Sequence, residues 1–481
     1  MALLTSADKA LWRLALPMIF SNITVPLLGL VDTAVIGHLD SPIYLGGVAI
    51  GATATSFLFM LLLFLRMSTT GLTAQAYGAK DPLRLARALV QPLILAFGAG
   101  ALIVLLRTPL IDLALHIVGG SDAVLEQARR FLEIRWLSAP ASLANLVLLG
   151  WLLGVQYARA PVILLVVGNL LNIVLDLWLV MGLHMNVRGA ALATAIAEYG
   201  TLLIGLGMVW RVLAMRGITL DLLKSAWRGN IRKLLALNRD IMLRSLLLQL
   251  CFGALTVFGA RLGPEIVAVN AVLMTLLTFT AYALDGFAYA VEAHSGQAYG
   301  ARESGQLREV WRAACRQAGL VALVFALVYA CFGGHIVALL TSLPALRELA
   351  DRYILWQVVL PVVGVWCYLL DGMFIGATRG AEMRNSMAVA AAGRIPSTRR
   401  APAVSRQSWS VAGAGGVSLT AWPFAGRYLA SSLAKQYLVS SPARYIVTVK
   451  DSEYKNNCRI LNYNNNHVQQ KRTKRTILID A

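Results

Sequence analysis

Between Leu11 and Ile375 the chain returns ten times to an apolar run of about 20 residues, the length that crosses the hydrocarbon core of a bilayer as a helix. The runs lie near Leu11–Ile36, Gly46–Leu65, Leu89–Leu106, Phe131–Leu153, Val162–Met181, Gly189–Val212, Ile241–Leu262, Val267–Ala290, Ala318–Phe332 (continued by Ile336–Leu340) and Ile354–Ile375. Charged residues make up only 14% of the sequence, against about 25% in a soluble protein. Inside lipid a backbone must satisfy its own polar groups, and runs this long do so as helices. The expected fold is therefore an all-α polytopic membrane protein.

The opening segment, MALLTSADKALWRLALPMIF, places Lys9 and Arg13 before an apolar run, as a signal peptide would. The run is too long for that and lacks a small-residue cleavage site, so it reads as a retained first helix with Thr5 or Ser6 as N-cap. Five scattered cysteines, with no Cys-x-x-Cys, suggest neither a metal site nor a disulfide framework.

The net charge of +19 is concentrated at one end, because the chain from Arg394 onward has fourteen Lys/Arg against three Asp/Glu. Elsewhere basic residues gather in alternate loops: Lys80, Arg84 and Arg87; Arg211 to Arg239; and Arg302, Arg308, Arg312 and Arg316. The positive-inside rule makes that face, and the amino terminus, cytoplasmic. Arg129, Arg130 and Arg135, counted as loop residues, run against the bias. No nucleic-acid-binding motif accompanies the charge, so the partners expected are the lipid bilayer and small molecules, not nucleic acid.

QAYGAK at Gln75–Lys80 recurs as QAYGAR at Gln297–Arg302, an offset of 222. Gly37 and Gly259, Pro42 and Pro264, Ala49 and Ala271, and Gly154 and Gly376 match at the same offset. An even number of spans per copy predicts parallel repeats, two six-helix lobes around a central cavity. The corresponding divisions are residues 1–213 for the first lobe, 214–238 for a basic connector, 239–393 for the second lobe and 394–481 for a basic tail. The tail breaks the pattern. The eleventh span starts at Met387 and meets Arg394, Pro396, Arg399 and Arg400; the twelfth, at 411–434, is Gly/Ser-rich and holds Arg427. The second lobe is thus expected to be incomplete, with ten to eleven convincing spans, as a change of reading frame after Ala392 would leave it.

Polar residues inside the runs carry the functional signal, because an acid in lipid is costly. Asp32 lies six residues beyond Pro26. A carboxylic acid sequestered among helices is easier to protonate than one in water. Pro26 cannot donate to the carbonyl of Asn22, which weakens the helix about one turn below. Acid and hinge would form one switch; the alternative is a helix-end Asp32 in the headgroup region. Asn169, Asn172 and Asp176 fall on nearly one helix face and should turn toward the lobe interior, as a coupling network or an interhelical clamp. In the second half the candidates are Asp285 and Asp371. Glu292 is placed near the solvated cytoplasmic edge, and Arg66 is expected to snorkel from the second span. Trp12, Trp136, Trp151, Trp178 and Trp356 read as interfacial anchors.

The segments PMIFSNITVPLLGLVDTAVIGHL, GLTAQAYGAKD, NLLNIVLDLWLVMG, GAALATAIAE and SGQAYGARE resemble the multidrug and toxic compound extrusion (MATE) transporters, in particular their bacterial DNA-damage-inducible DinF-type branch. The resemblance runs from about Leu4 to Ala392. It implies a monomeric, multi-pass protein of the bacterial inner membrane that exports cationic or amphipathic compounds against an ion gradient, without enzymatic activity or a bound cofactor or metal. It makes Asp32 the coupling carboxylate, with Asn172, Asp176 and Thr194 in the network around it. The family's fourth-helix Asn position is Leu149 here, with Asn145 one turn away as a substitute. Asn22 and Asn169 complete the polar set. Sodium-coupled relatives carry a seventh-helix acid where this chain has Gln249, which favours protons over sodium. A lipid-linked oligosaccharide flippase shares the two-lobe plan, yet would want a cationic cavity for pyrophosphate. An intramembrane aspartyl protease would want Tyr-Asp and Gly-x-Gly-Asp, whereas Val31 precedes Asp32 and Leu175 precedes Asp176.

Overall fold

A computed structural model describes residues 5–37, 41–229, 231–262, 264–341, 344–388 and 391, and inside the helices the side chains of 27, 29–34, 37, 252, 254–262, 264–267, 270, 353 and 356 are left undescribed. The described residues fall in one unit, Met1–Ala425; a second unit, Gly426–Ala481, lies wholly outside them. The predicted interruption of the last two spans and the tail 394–481 are therefore outside the described residues, apart from a helical stretch at 380–388.

The first half of the chain builds α1 (Ser6–Gly37), α2 (Pro42–Leu62), α3 (Phe64–Gly78), α4 (Pro82–Leu105), α5 (Arg107–Val118), α6 (Asp122–Arg135), α7 (Ala139–Gly154), α8 (Arg159–Asp176) and α9 (Asn186–Met215). The connector holds a short α10 (Leu220–Ala226). The second half builds α11 (Arg232–Leu262), α12 (Pro264–Ala301), α13 (Ser304–Leu340) and α14 (Pro344–Gly376). Among the described residues every regular element is helical, and eight helical stretches are long and apolar enough to cross a membrane.

Local chemistry sets the helix ends. Thr5 caps α1: its hydroxyl accepts from Asp8 N at 3.2 Å, while the Asp8 carboxylate accepts from Thr5 N at 2.8 Å. This reciprocal pairing satisfies two orphan donors. Asp81 caps α4 by accepting from Arg84 N at 3.0 Å, and Pro82 follows at the first helical position. Helices also overrun the apolar runs. The second span continues through STTGLTAQAYG to Gly78, where Ser68, Thr69, Thr70 and Thr73 are buried against protein instead of lipid.

The repeat is visible in backbone detail at the same offset of 222. Lys80 and Arg302 both take positive φ (52° and 59°), as do Gln156 and Thr378 (59° and 54°). These are the residues that turn the chain out of α3 and α12, and out of α7 and α14. A Cβ on Gly150 would stand 2.6 Å from the carbonyl oxygen of Arg66, and one on Gly372 the same distance from that of Ala288. The two copies also meet each other. A Cβ on Gly78 would overlap the Gln297 carbonyl, and one on Gly300 would overlap the Gln75 carbonyl. Glycine is required at both because α3 and α12 approach backbone to backbone. Gln75 donates to Gly376 O at 2.9 Å and to the Thr378 hydroxyl at 3.2 Å, and Gln297 accepts from Gln156 at 2.6 Å. QAYG is thus the seam where the halves touch.

Several expectations for individual residues are corrected. Arg66 does not snorkel and Glu292 is not solvated: they are 3% and 1% exposed and face each other across the α3–α12 seam. Trp136 and Trp151 are buried, not interfacial; they donate to the Thr55 hydroxyl and to Leu85 O. Trp12 reaches Gln317 and packs edge-on to Phe287, while Trp178 is exposed and Trp356 is not described. Arg135 is a buried, paired residue and not a loop charge, which removes one exception to the positive-inside bias.

Candidate functional site

The polar stripe of α8 is the first constellation. Residues 169, 172 and 176 recur at helical spacing, so one face carries all three. Asn169 donates to the Thr24 hydroxyl of α1 at 2.6 Å, and Asn172 donates to the Thr194 hydroxyl of α9 at 3.4 Å. Asp176, 2% exposed, ends the helix just before a π-helical turn at Leu177–Gly182. The stripe therefore faces α1 and α9, as an acid-bearing face in lipid must. Helix α1 runs unbroken from Ser6 to Gly37 with Pro17 and Pro26 inside it. Each proline leaves a carbonyl without its helical donor. Nearby hydroxyls also bond the helix backbone, Ser21 to Pro17 O at 2.8 Å and Thr24 to Ser21 O at 2.6 Å. Asp32 lies on this helix, but its side chain is outside the described residues.

Other predicted residues are placed elsewhere. Asn22 donates to Tyr282 O of α12 at 3.2 Å, on the seam between the halves. Asn145 donates to Glu198 O at 3.0 Å, which commits its amide to α9. Gln249 of α11 reaches the Met60 sulfur of α2.

A second constellation went unread. The Glu198 carboxylate of α9 is held by Arg135 through two bonds of 2.8 and 2.9 Å, by Ser138 at 2.7 Å and by Ser142. A bidentate Arg–carboxylate pair with two hydroxyl donors fixes both partners in orientation. The available signal was a lone acid inside an apolar run, TAIAEYG.

The third constellation gathers between the halves. Arg66 lies 3.4 Å from Glu292 and 4.5 Å above the Tyr289 ring. Arg244 of α11 pairs with Asp371 of α14. Asp285 lies in the electrostatic reach of both arginines and both acids. Three acids thus share two guanidiniums, so the group carries one negative charge when all are ionised. Arg244, inside the seventh run, was the residue missed. Among the described residues no cluster of three or more His, Cys, Asp or Glu is arranged to hold a metal ion.

Comparison with known proteins closes the identification. The family model described as MatE matches residues 17–178 and 241–396, once in each half. The chain is 84% identical over 393 residues to "DNA damage-inducible protein F" of Escherichia coli (strain K12), covering 82% of this chain and 86% of that one. It is 24% identical over 387 residues to "Multidrug export protein MepA" of Staphylococcus aureus (strain N315), covering 78% and 83%. A structure described as "Crystal structure of MATE in the straight conformation" shares the fold at a TM-score of 0.79 and 22% identity, over 90% of this chain and 98% of that one. The chain belongs to the MatE family of multi-pass efflux transporters, which are not enzymes.

Proposed function

We propose that this transporter exports small cationic or amphipathic compounds across the bacterial inner membrane in exchange for protons, by alternating access. The observation that carries the reading is the packing of the buried α8 stripe against α1, the helix that holds Pro26 and Asp32. In this reading Asp32 exchanges a proton for substrate, Asp176 shares the proton-coupling role, and Asn169, Asn172 and Thr194 hold the surrounding hydrogen bonds. A change of charge on a helix weakened at Pro26 alters its packing, and a difference in substrate affinity between the two packings supplies the coupling. With Asp285, Glu292 and Asp371 all ionised against Arg66 and Arg244, the one surplus negative charge would favour a cationic cargo. Gln249 is a neutral amide where a sodium site would want a carboxylate, so it cannot neutralise a bound cation. The paired Lys80 and Arg302 ends, related by the repeat, face the cytoplasm with the amino terminus.

The test is cationic-dye efflux from vesicles under separately imposed proton and sodium gradients. Efflux driven by the proton gradient alone is expected. Efflux driven by sodium with no proton gradient would overturn the coupling assignment.

A further inference from the structure

The connector between the halves ends on an uncompensated cationic site. Helix α10 docks on α4 through Leu222, Leu223 and Ala226, which join the cluster around Leu85, Ala86 and Leu89. The chain then passes Gly229, whose φ of 157° favours glycine. A Cβ there would stand 3.1 Å from Arg87 Nε and 3.3 Å from Gln91 Nε2. Arg84, Arg87 and Gln91 are spaced 3 and 4 residues apart, so one face of α4 presents all three toward the connector. Gln91 is only 8% exposed, and its Nε2 and Arg87 Nε are buried donors with no hydrogen-bond partner. A buried donor left empty costs roughly 1–3 kcal/mol and calls for a ligand, an ion or water.

Basic residues dominate the charge along this face of α4 and the end of the connector. Asp81 holds Arg84 at 3.2 Å and caps α4. Arg87 and Lys233 enter none of the ion pairs seen among the described residues, and Lys233 stands in the first turn of α11, four residues after Gly229. We propose that Arg87, Gln91 and Lys233, flanked by Arg84, bind a phosphate group at the cytoplasmic face, where the connector meets the membrane surface. Guanidinium and amide donors set side by side on one helix face suit phosphate oxygens, and basic pockets beside membrane helices on this face take anionic headgroups. Occupancy would fasten the connector to α4 and so hold the start of α11.

Purified transporter in a neutral detergent is titrated with short-chain phosphatidylglycerol, short-chain phosphatidylcholine and inorganic phosphate, with the thermal midpoint as readout. The wild type should be stabilised by phosphatidylglycerol over phosphatidylcholine, and Arg87→Gln with Lys233→Gln should bind about tenfold or more weakly, the loss expected when a charge-assisted hydrogen bond to phosphate is removed. The exposed pair Arg308→Gln with Arg312→Gln, on the same face, should bind as wild type does. Saturation by inorganic phosphate alone, lost in the same double variant, would assign the site to a soluble phosphate; its absence assigns the site to lipid. Arg87→Lys, which keeps the charge but loses the planar fork, and the exposed Lys233→Gln guard against misfolding; each should bind more weakly than wild type and more tightly than the double variant. Equal loss in the Arg308/Arg312 control, no loss in Lys233→Gln, or no preference for either phosphate probe over phosphatidylcholine would overturn the proposal.

Discussion

Replacing Glu292 by Gln strands a permanent charge in the seam between the halves, and the consequence can be worked from the geometry. Arg66 is 3% exposed and lies 3.4 and 3.5 Å from the Glu292 carboxylate oxygens and 4.5 Å from the centre of the Tyr289 ring. Breaking one partner out of a buried pair usually costs about 3–5 kcal/mol, because guanidinium stays charged. The Tyr289 face, worth roughly 0.5–2 kcal/mol, and the attraction of the nearby Asp285 survive the change, so the expected loss is near the lower end, about 3 kcal/mol. Arg66→Met combined with Glu292→Gln removes both charges and should lie within about 1 kcal/mol of wild type. Reversible unfolding of wild type, Glu292→Gln, Arg66→Met and the double variant in mixed micelles gives the cycle directly. A single variant as stable as wild type, or a double variant no better than the single, would refute the reasoning.

The seam explains why some features were legible in sequence and others were not. A repeat at a fixed offset is a one-dimensional property, and Gln75–Lys80 against Gln297–Arg302 could be read from it. The α8 stripe was equally readable, because helical spacing alone puts Asn172 and Asp176 on one face. Partners on different helices leave no such trace. Arg66 and Glu292 are 226 residues apart, Arg244 and Asp371 are 127, and Arg135 and Glu198 are 63. Each was a lone charge in or beside an apolar run, a sign that a partner exists but not which one. The polar stretch after Leu65 was underread for a related reason. Hydropathy tests burial in lipid, whereas Thr69, Thr70 and Thr73 are buried in protein, with Thr69 and Thr70 bonding their own helix.

Three further outcomes follow from named contacts. Gly78→Ala and Gly300→Ala, which force a Cβ into opposing backbone, should each cost about 1–3 kcal/mol, while Gly98→Ala, with open space around it, should be neutral or slightly stabilising; thermal midpoints compare them. Glu198→Gln should destabilise by about 2–4 kcal/mol and Glu198→Ala by more, since Arg135, Ser138 and Ser142 lose their shared acceptor; unfolding in mixed micelles measures both. Burial raises the Asp8 carboxyl, but the Thr5 bonds and then Arg316 outweigh it and bring it down from 3.8 to about 2. The stabilisation it contributes is therefore complete above the ordinary value and lost as pH falls toward 2. Asp8→Asn should cost about 1 kcal/mol near neutral pH and flatten that acid limb of the stability profile.

The proton-coupled account stands on Asp32, and proton release is its most direct readout. Purified transporter in a weakly buffered dye solution is mixed with a cationic substrate, and the pH change is followed. Wild type should release protons in proportion to substrate bound, and Asp32→Asn should bind without release. Equal proton release from the two proteins would contradict the account.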